Sequence, residues 1–412
     1  MKPLNIVLLV TMFVTVHSTF AQTWMQTGAP SNGWSAIACS ADGYKLVALA
    51  NRMYPGGYTS TNSGMTWTTN GAPGASWCSV ASSADGTKLV AATVGVQGRE
   101  AASGFVYIST NSGSTWQLTS APSNQWFSVA SSANGCELAA VATYSTIIPP
   151  GSVYGLLFIS TNSGITWQSN NVSQAWESVA LSANGSVLAG ICGPGLVIST
   201  NSGVAWTSKN LPTNVTWQNI LCTADGSKLM AVGYGRSFTT AAICTSTNFG
   251  TTWASNSFPI ASSSLSIASS ADGITLVGAG GDRLCISTNS GITWTTNDFQ
   301  NMGIVCVASS ADGHKLFAVT SPTMGPPGKL GGLIYTWYSP PTPRLNLAPS
   351  NNSLVLSWLI PSTNFMLQQN SDLSTSNWTL IANPPVLNLT NLQNQVFLTP
   401  PASNNFYRLA TP

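Results

Sequence analysis

A two-part signature returns along this chain every 40 to 50 residues and restricts what the chain can fold into. The first part is a short turn, SADG or a close variant, at Ser40–Gly43, Ser83–Gly86, Ser132–Gly135, Ser182–Gly185, Thr223–Gly226, Ser270–Gly273 and Ser310–Gly313. The second part, STNSGxTW or a close variant, follows six of the seven turns, at Ser60–Trp67, Ser109–Trp116, Ser160–Trp167, Ser199–Trp206, Ser246–Trp253 and Ser287–Trp294. A period of this length means stacked supersecondary units, because one such unit cannot bury its own apolar face.

Within a unit the apolar runs WCSVASS, KLVAAT, GFVYIST and TWQLT are short, rich in Val, Ile, Thr and aromatics, and bounded by turn residues. They read as four strands, a to d, of an antiparallel sheet. Asp-Gly and Asn-Gly supply the positive φ of a tight hairpin, and in STNSG the Asn side chain caps the turn while Gly takes the left-handed position. Four strands in about 45 residues is the size of a β-propeller blade. The seventh unit, from Ile304 to Thr336, lacks the STNSG hairpin and its last strand, and Thr23–Thr27 (TWMQT) at the other end of the chain matches the missing piece. The expected fold is all-β, a seven-bladed propeller over residues 22–339 closed by an N-terminal strand, which removes the open sheet edges.

The ends differ in texture. Lys2, the apolar stretch Leu4–Val16 and Thr19-Phe20-Ala21 read as a signal peptide over residues 1–21, cleaved near Ala21. The apolar run is too short to cross a bilayer, so the expectation is an exported, monomeric protein without a transmembrane segment. Residues 340–344 form a Pro-rich linker, and LVLSW, NFMLQQ, WTLIA, VFL and FYRL in residues 345–412 read as a β-sandwich-like unit outside the repeat. With Trp358, Trp378 and Tyr407, that segment resembles the C-terminal immunoglobulin- or fibronectin-like modules of secreted bacterial proteins.

Only 6% of residues are charged and the net charge is +2, so the basic stripe of a nucleic-acid binder is missing. The eight Cys show no CxxC spacing and read mainly as small buried strand residues. Cys244 and Cys285 share one repeat position, which permits a single bridge. The only His residues are His17 and His314, and no metal or cofactor is expected.

Ser109, Asn111, Gly113, Thr115 and Trp116 resemble the Asp-box or BNR repeat, S-x-D-x-G-x-T-W, with Asn in place of Asp. Four other copies fit equally, and Ala205 replaces Thr in the remaining one. The family resemblance implies a propeller hairpin shared by sialidases, sortilin-like receptors and photosystem-assembly factors, which have no common chemistry. It assigns structural roles to Asn62, Gly64 and Trp67, Asn111, Gly113 and Trp116, Asn162, Gly164 and Trp167, Asn201, Gly203 and Trp206, Asn248, Gly250 and Trp253, and Asn289, Gly291 and Trp294.

In such a blade the a–b and c–d turns share one face, and the irregular b–c and d–a connections share the other, where binding residues tend to sit. The arginines of the repeat region, Arg52, Arg99, Arg236 and Arg283, all fall in b–c connections, as do Tyr54, Tyr58, Glu100, Tyr154 and Tyr234. Lys45, Lys88, Lys228 and Lys315 follow the SADG turns instead. Local pairing of Arg99 with Glu100 and of Asp282 with Arg283 is the competing explanation. Trp34, Trp77, Trp126, Trp176 and Trp217 start strand a in five units, and form either a sugar-stacking collar at that face or packing between blades.

These residues point to a secreted or cell-surface binding protein that holds a glycan, peptide or protein on its irregular face. A sialidase-like glycosidase and an assembly or structural factor are the alternatives. Against the enzyme, the F/Y-R-I-P motif of sialidases is absent, Arg52 lies in N-R-M-Y, and Glu100, Glu177, Asp282 and Asp298 offer no evident catalytic pair. No catalytic residue is assigned.

Overall fold

The computed structural model describes residues 23–51, 56–95, 104–142, 156–170, 176–193, 195–212, 214–235, 241–260, 262, 264–299, 302–321, 331–339, 345–350, 353–359, 366–372, 375, 377–388, 390–399 and 405–410. The segment read as a signal peptide and most of the long b–c connections lie outside them. All regular secondary structure among the described residues is β.

Each of the first six units is one antiparallel sheet in the order a-b-c-d. In unit 1 the strands are Trp34–Cys39, Leu46–Ala50, Gly57–Ser60 and Thr68–Thr69. Strand b is buried along its whole length (LVALA), while strand d is exposed. That contrast explains the texture of the repeat: a strand covered on both faces reads as a continuous apolar run, and the outermost strand tolerates Thr, Ser and Gln. The seventh sheet combines Gly303–Ser309, Lys315–Ser321 and Ile334–Tyr338 with Met25–Gln26, paired Met25 to Thr336 and Gln26 to Tyr335. The first and last units of the chain thus lie side by side, and Trp34, Ile37 and Ala48 share an apolar cluster with Ala308, Phe317 and Val319.

The SADG turns are bonded to one another through the backbone of their second residue. The Ala41 amide donates to the Ala84 carbonyl at 2.8 Å, Ala84 to Ala133 at 2.7 Å, Ala133 to Ala183 at 2.7 Å and Ala183 to Ala224 at 2.8 Å. Ala224 donates to Ala271 at 2.9 Å, Ala271 to Ala311 at 2.7 Å, and Ala311 back to Ala41 at 2.7 Å. Seven turns are therefore linked in a closed circuit of backbone hydrogen bonds, which satisfies the polar groups of each turn. Each turn is also locked from within. Ser83 Oγ donates to Asp85 Oδ1 at 2.6 Å and accepts from the Lys88 amide at 3.0 Å, and Gly86 has φ 68°.

Asn134 and Asn184 hold the equivalent bonds without charge, which leads to a pH prediction. At Asp85 and Asp225 burial raises the carboxyl pKa, but hydrogen bonds from Ser83 and Thr87, and from Thr223 and Ser227, outweigh it and hold both below the ordinary carboxylate value. A lowered folded-state pKa stabilises above the unfolded-state value, and that stability is lost as pH falls through the folded value. Asp85→Asn with Asp225→Asn should therefore flatten the acid side of the melting-temperature profile and leave neutral pH nearly unchanged. Thermal unfolding between neutral pH and pH about 3 checks this, the lower limit lying below the usual carboxylate pKa.

In the STNSG hairpins Ser109 Oγ donates to Asn111 Oδ1 at 3.0 Å and accepts from the Gly113 amide at 2.9 Å. Asn111 bridges Thr115 through its amide and side chain, at 2.9 and 2.8 Å. Where Ala205 replaces Thr, the backbone bond to Asn201 survives at 2.8 Å. The residue before the glycine is left-handed too, at Ser63, Ser112, Ser163, Ser202, Phe249 and Ser290, with φ between 54° and 58°. Phe249 is the misfit, since a bulky side chain is costly in that region. Phe249→Asn should raise stability by about 1 kcal/mol, measured by denaturant unfolding.

Residues 346–410 form two further antiparallel sheets. One joins Asn346–Ser350, Ser353–Leu359, Gln393–Leu398 and Val386–Asn388; the other joins Thr379–Leu380, Met366–Asn370 and Phe406–Ala410. They share a cluster built on Leu356, Trp358, Leu367 and Val396, with Tyr407 and Leu409 against it. All eight cysteines are free. The Cys244–Cys285 bridge that the sequence permits is absent, because Cys244 packs with Ile198 and Trp217 on one side of its sheet and Cys285 packs with Ile243 and Phe258 in the next cluster. Burial pushes the thiols of Cys39 and Cys78 up to about 12 and that of Cys192 to about 11, as suits inert core residues.

Candidate functional site

The two ends of the sheet circuit differ in how far their side chains are already committed. At the SADG end, Lys315 Nζ donates to the Asp42 carbonyl at 3.0 Å and lies 3.3 Å over the Tyr44 ring, and Lys228 Nζ donates to the Asp272 carbonyl at 2.8 Å. Lys88 Nζ donates to Ser163 Oγ at 3.1 Å. Three of the four lysines thus stitch one unit to the next. Leu392, from the C-terminal sheets, packs against Ala41 and Ala311 of the turn circuit. The turns of that end are thus tied to one another, while Met65, Ile165, Val204 and Ile292 at the hairpin tips stay exposed.

At the other end, the five strand-starting tryptophans are not a surface collar. Trp34 and Trp77 are 2% exposed, Trp126 and Trp176 0%, and Trp217 1%. Their rings fill the space between sheets, the packing alternative raised by the sequence. Trp34 meets Tyr58 edge-on at 5.6 Å, Trp77 meets Tyr107 at 5.3 Å, and Trp126 meets Phe158 at 5.4 Å. Tyr58 is consequently a core contact rather than a presented phenol, and Tyr234 is half-buried against the cluster of Phe258 and Leu276. In unit 6, where Ser264 replaces Trp, Phe258 from the preceding strand d fills the gap and stacks edge-on with Trp294 at 5.1 Å.

Arg283 is engaged locally. Its Nε donates to Asp298 Oδ1 at 2.8 Å and its guanidinium reaches the Pro259 carbonyl at 3.3 Å, so the partner is Asp298 across the c–d ladder, not Asp282. The pair is solvent-exposed, and Arg283→Ala should leave stability nearly unchanged, measured by chemical denaturation. Arg52, Tyr54, Arg99, Glu100, Tyr154 and Arg236 lie outside the described residues.

One feature of this end has a weak sequence signal. In six inner strands the register slips by one residue just after the tryptophan or the isoleucine in its place, at Trp34/Ala36, Trp77/Ser79, Trp126/Ser128, Trp176/Ser178, Trp217/Asn219 and Ile304/Cys306. These β-bulges re-aim the extra side chain. After three of the bulges the next residue ties inner strands together, Ser79 Oγ accepting from Val129 N at 3.1 Å, Ser128 from Val179 N at 3.3 Å and Ser178 from Ile220 N at 3.3 Å, and Ser266 in the unbulged sixth unit accepts likewise from Val307 N at 3.1 Å. The bulge residues Ser35, Cys78, Phe127, Glu177, Gln218 and Val305 therefore stand at equivalent places on neighbouring strands. Phe127 and Glu177 are the pair that sequence reading passed over. Glu177 reads there merely as a carboxylate of the irregular face, and nothing in WFSV sets Phe127 apart from the buried aromatics.

No protein-family model matches this chain, and no curated protein matches it. Solved structures do. A structure described as YCF48 bound to D1 peptide superposes with a TM-score of 0.53 at 14% identity, covering 77% of this chain and 95% of that one. YCF48 from Cyanidioschyzon merolae gives a TM-score of 0.53 at 15% identity, covering 76% and 98%, and hydrazine synthase of Kuenenia stuttgartiensis gives 0.55 at 13%, covering 70% and 93%. With the repeated four-stranded sheets, the likeness decides the architecture. The fold is a β-propeller. Identities this low carry no activity across, so the propeller's function has to be argued from its own faces.

Proposed function

We propose that this chain is an exported, seven-bladed propeller of Asp-box type that binds an extended peptide or protein segment on the face carrying its b–c connections. The observation that carries the reading is the asymmetry between the two ends. On the SADG face the turns bond to one another in a circuit, three lysines bridge blades, and Leu392 sits over Ala41 and Ala311. On the opposite face Phe127 stays 44% exposed, and Glu177, half-buried, makes no ion pair among the described residues. A rigid scaffold whose turn circuit and its lysines are committed to the fold, with irregular connections at its other end, suits binding by those connections. A propeller of the same fold, YCF48, has been seen with a peptide, which supports the peptide class over a glycan. Residues 345–412 act as an accessory module on the committed side, and Arg52, Arg99 and Arg236 supply polar anchors from the b–c connections.

The test uses the mature chain on an array of capped random-sequence peptides. Changing Arg52, Arg99 and Arg236 to Ala should reduce capture at least about tenfold, as loss of charge-assisted contacts does, without lowering the melting temperature. The matched control is Met65→Ser, Ile165→Ser and Val204→Ser at exposed hairpin tips of the other face, which should leave capture intact. Equal loss from both sets, or loss from the hairpin set alone, would overturn the assignment of the face.

A further inference from the structure

We infer that adjacent Phe127 and Glu177 form a subsite for one lysine or arginine side chain of the bound segment, an inference that rests on the peptide-binding reading above. The other bulge positions are held by the fold itself. Ser35 Oγ donates to the Leu49 carbonyl at 3.1 Å, and Cys78 Sγ donates to the Ala92 and Trp126 carbonyls at 3.3 and 3.5 Å. Gln218 Oε1 accepts from the Leu265 amide of the next blade at 3.1 Å. Val305 packs against the cluster shared by the first and last blades, and Leu265, at the corresponding place in blade 6, is buried. Five of the seven positions are thus absorbed by the fold. The remaining two are neighbours in blades 3 and 4.

Their directions follow from the residues beside them. Trp126 packs with Val90, Ala92 and Val106 of the preceding blade, while Ser128 Oγ accepts from Val179 of the following blade at 3.3 Å. Phe127, between them on an innermost strand, is turned to neither neighbour and stays 44% exposed. Glu177 repeats the arrangement: Trp176 packs with Ala139, Val141 and Leu157 behind it, and Ser178 accepts from Ile220 ahead of it at 3.3 Å. The Ser128–Val179 bond holds the two inner strands against each other, so an exposed ring and a half-buried carboxylate stand side by side at the mouth of the propeller axis.

That carboxylate meets no cation among the described residues, where the one ion pair is Arg283–Asp298. Burial pushes its pKa up with no opposing contribution, so the free protein holds a partly desolvated negative charge at a cost. A partner ammonium or guanidinium removes that cost and gains a charge-assisted bond. Lysine and arginine also carry an apolar stem and a cationic head, which match a ring next to a carboxylate. An N-terminal ammonium has no stem and leaves Phe127 unused.

The experiment uses the same peptide array, each sequence appearing in capped form with Lys, Arg, norleucine or Glu at one central position, and in a norleucine form with a free N-terminus. The unaltered protein should capture Lys and Arg forms about tenfold better than norleucine forms. Glu177→Gln should abolish that preference while melting no lower, and at neutral pH slightly higher, than the parent, because it removes a half-buried charge. Phe127→Ser should weaken the Lys, Arg and norleucine forms alike. A preference that persists in Glu177→Gln, or capture with no preference at all, overturns this subsite and leaves peptide binding standing. Preference confined to free N-termini overturns the side-chain assignment. Failure to capture any peptide overturns the peptide reading and the subsite with it.

Discussion

Deleting residues 23–27 should cost about 3 kcal/mol or more, because it removes the outer strand of the last sheet and a packed indole. Met25–Gln26 is the outer strand of the last sheet, the Thr27 amide donates to the Ile334 carbonyl at 2.9 Å, and Trp24 packs with Ile304 and Trp337. Without them Ile334–Tyr338 becomes a bare sheet edge, and the protein should self-associate. Light scattering and thermal unfolding of the shortened chain read both effects. A monomer with the parent melting temperature would show that closure does not depend on this strand.

Trp176→Ala should be the most damaging single substitution on the inner strands, at about 3–5 kcal/mol. The ring is fully buried, meets Trp206 edge-on at 6.3 Å and lies over strand b of its own sheet, where position 190 is glycine. A methyl group at Gly190 would run into the Trp176 ring. Gly190→Ala alone should therefore destabilise by overpacking, about 1–3 kcal/mol, and most of that penalty should disappear in the Trp176→Ala background. Chemical denaturation of the two single variants and the double variant measures the coupling. Strict additivity would mean that the glycine is there for another reason.

The sequence made the repeat legible because its period is enforced by turns whose chemistry is local. Ser, Asp or Asn, and Gly at fixed offsets identify each hairpin, and the spare TWMQT run identifies the strand pairing with the last unit. The circuit linking the SADG turns was not legible, since each backbone bond runs to the next turn, some 40 to 50 residues on. The tryptophans were ambiguous for a related cause. A repeated aromatic at a strand start suits both a collar and an inter-blade wedge, and burial alone decides between them. Phe127 and Glu177 were harder still, because their exposure follows from a bulge that shifts register by one residue, and hydrophobic alternation cannot reveal a one-residue slip. The Arg283 partner, Asp298, sits across a ladder and not next to it in sequence.

Ligand binding at the b–c end of the propeller, away from the SADG circuit that ties the units together, is tested most directly by hydrogen exchange of the chain with and without the most strongly captured array peptide. Binding there predicts new protection at the starts of the inner strands, around Trp126–Val129 and Trp176–Val179, and in the b–c connections, with the SADG circuit and the STNSG hairpins unchanged. Protection centred on Ser109–Trp116, Ser160–Trp167 and the alanine turns would place the ligand on the wrong face and contradict it.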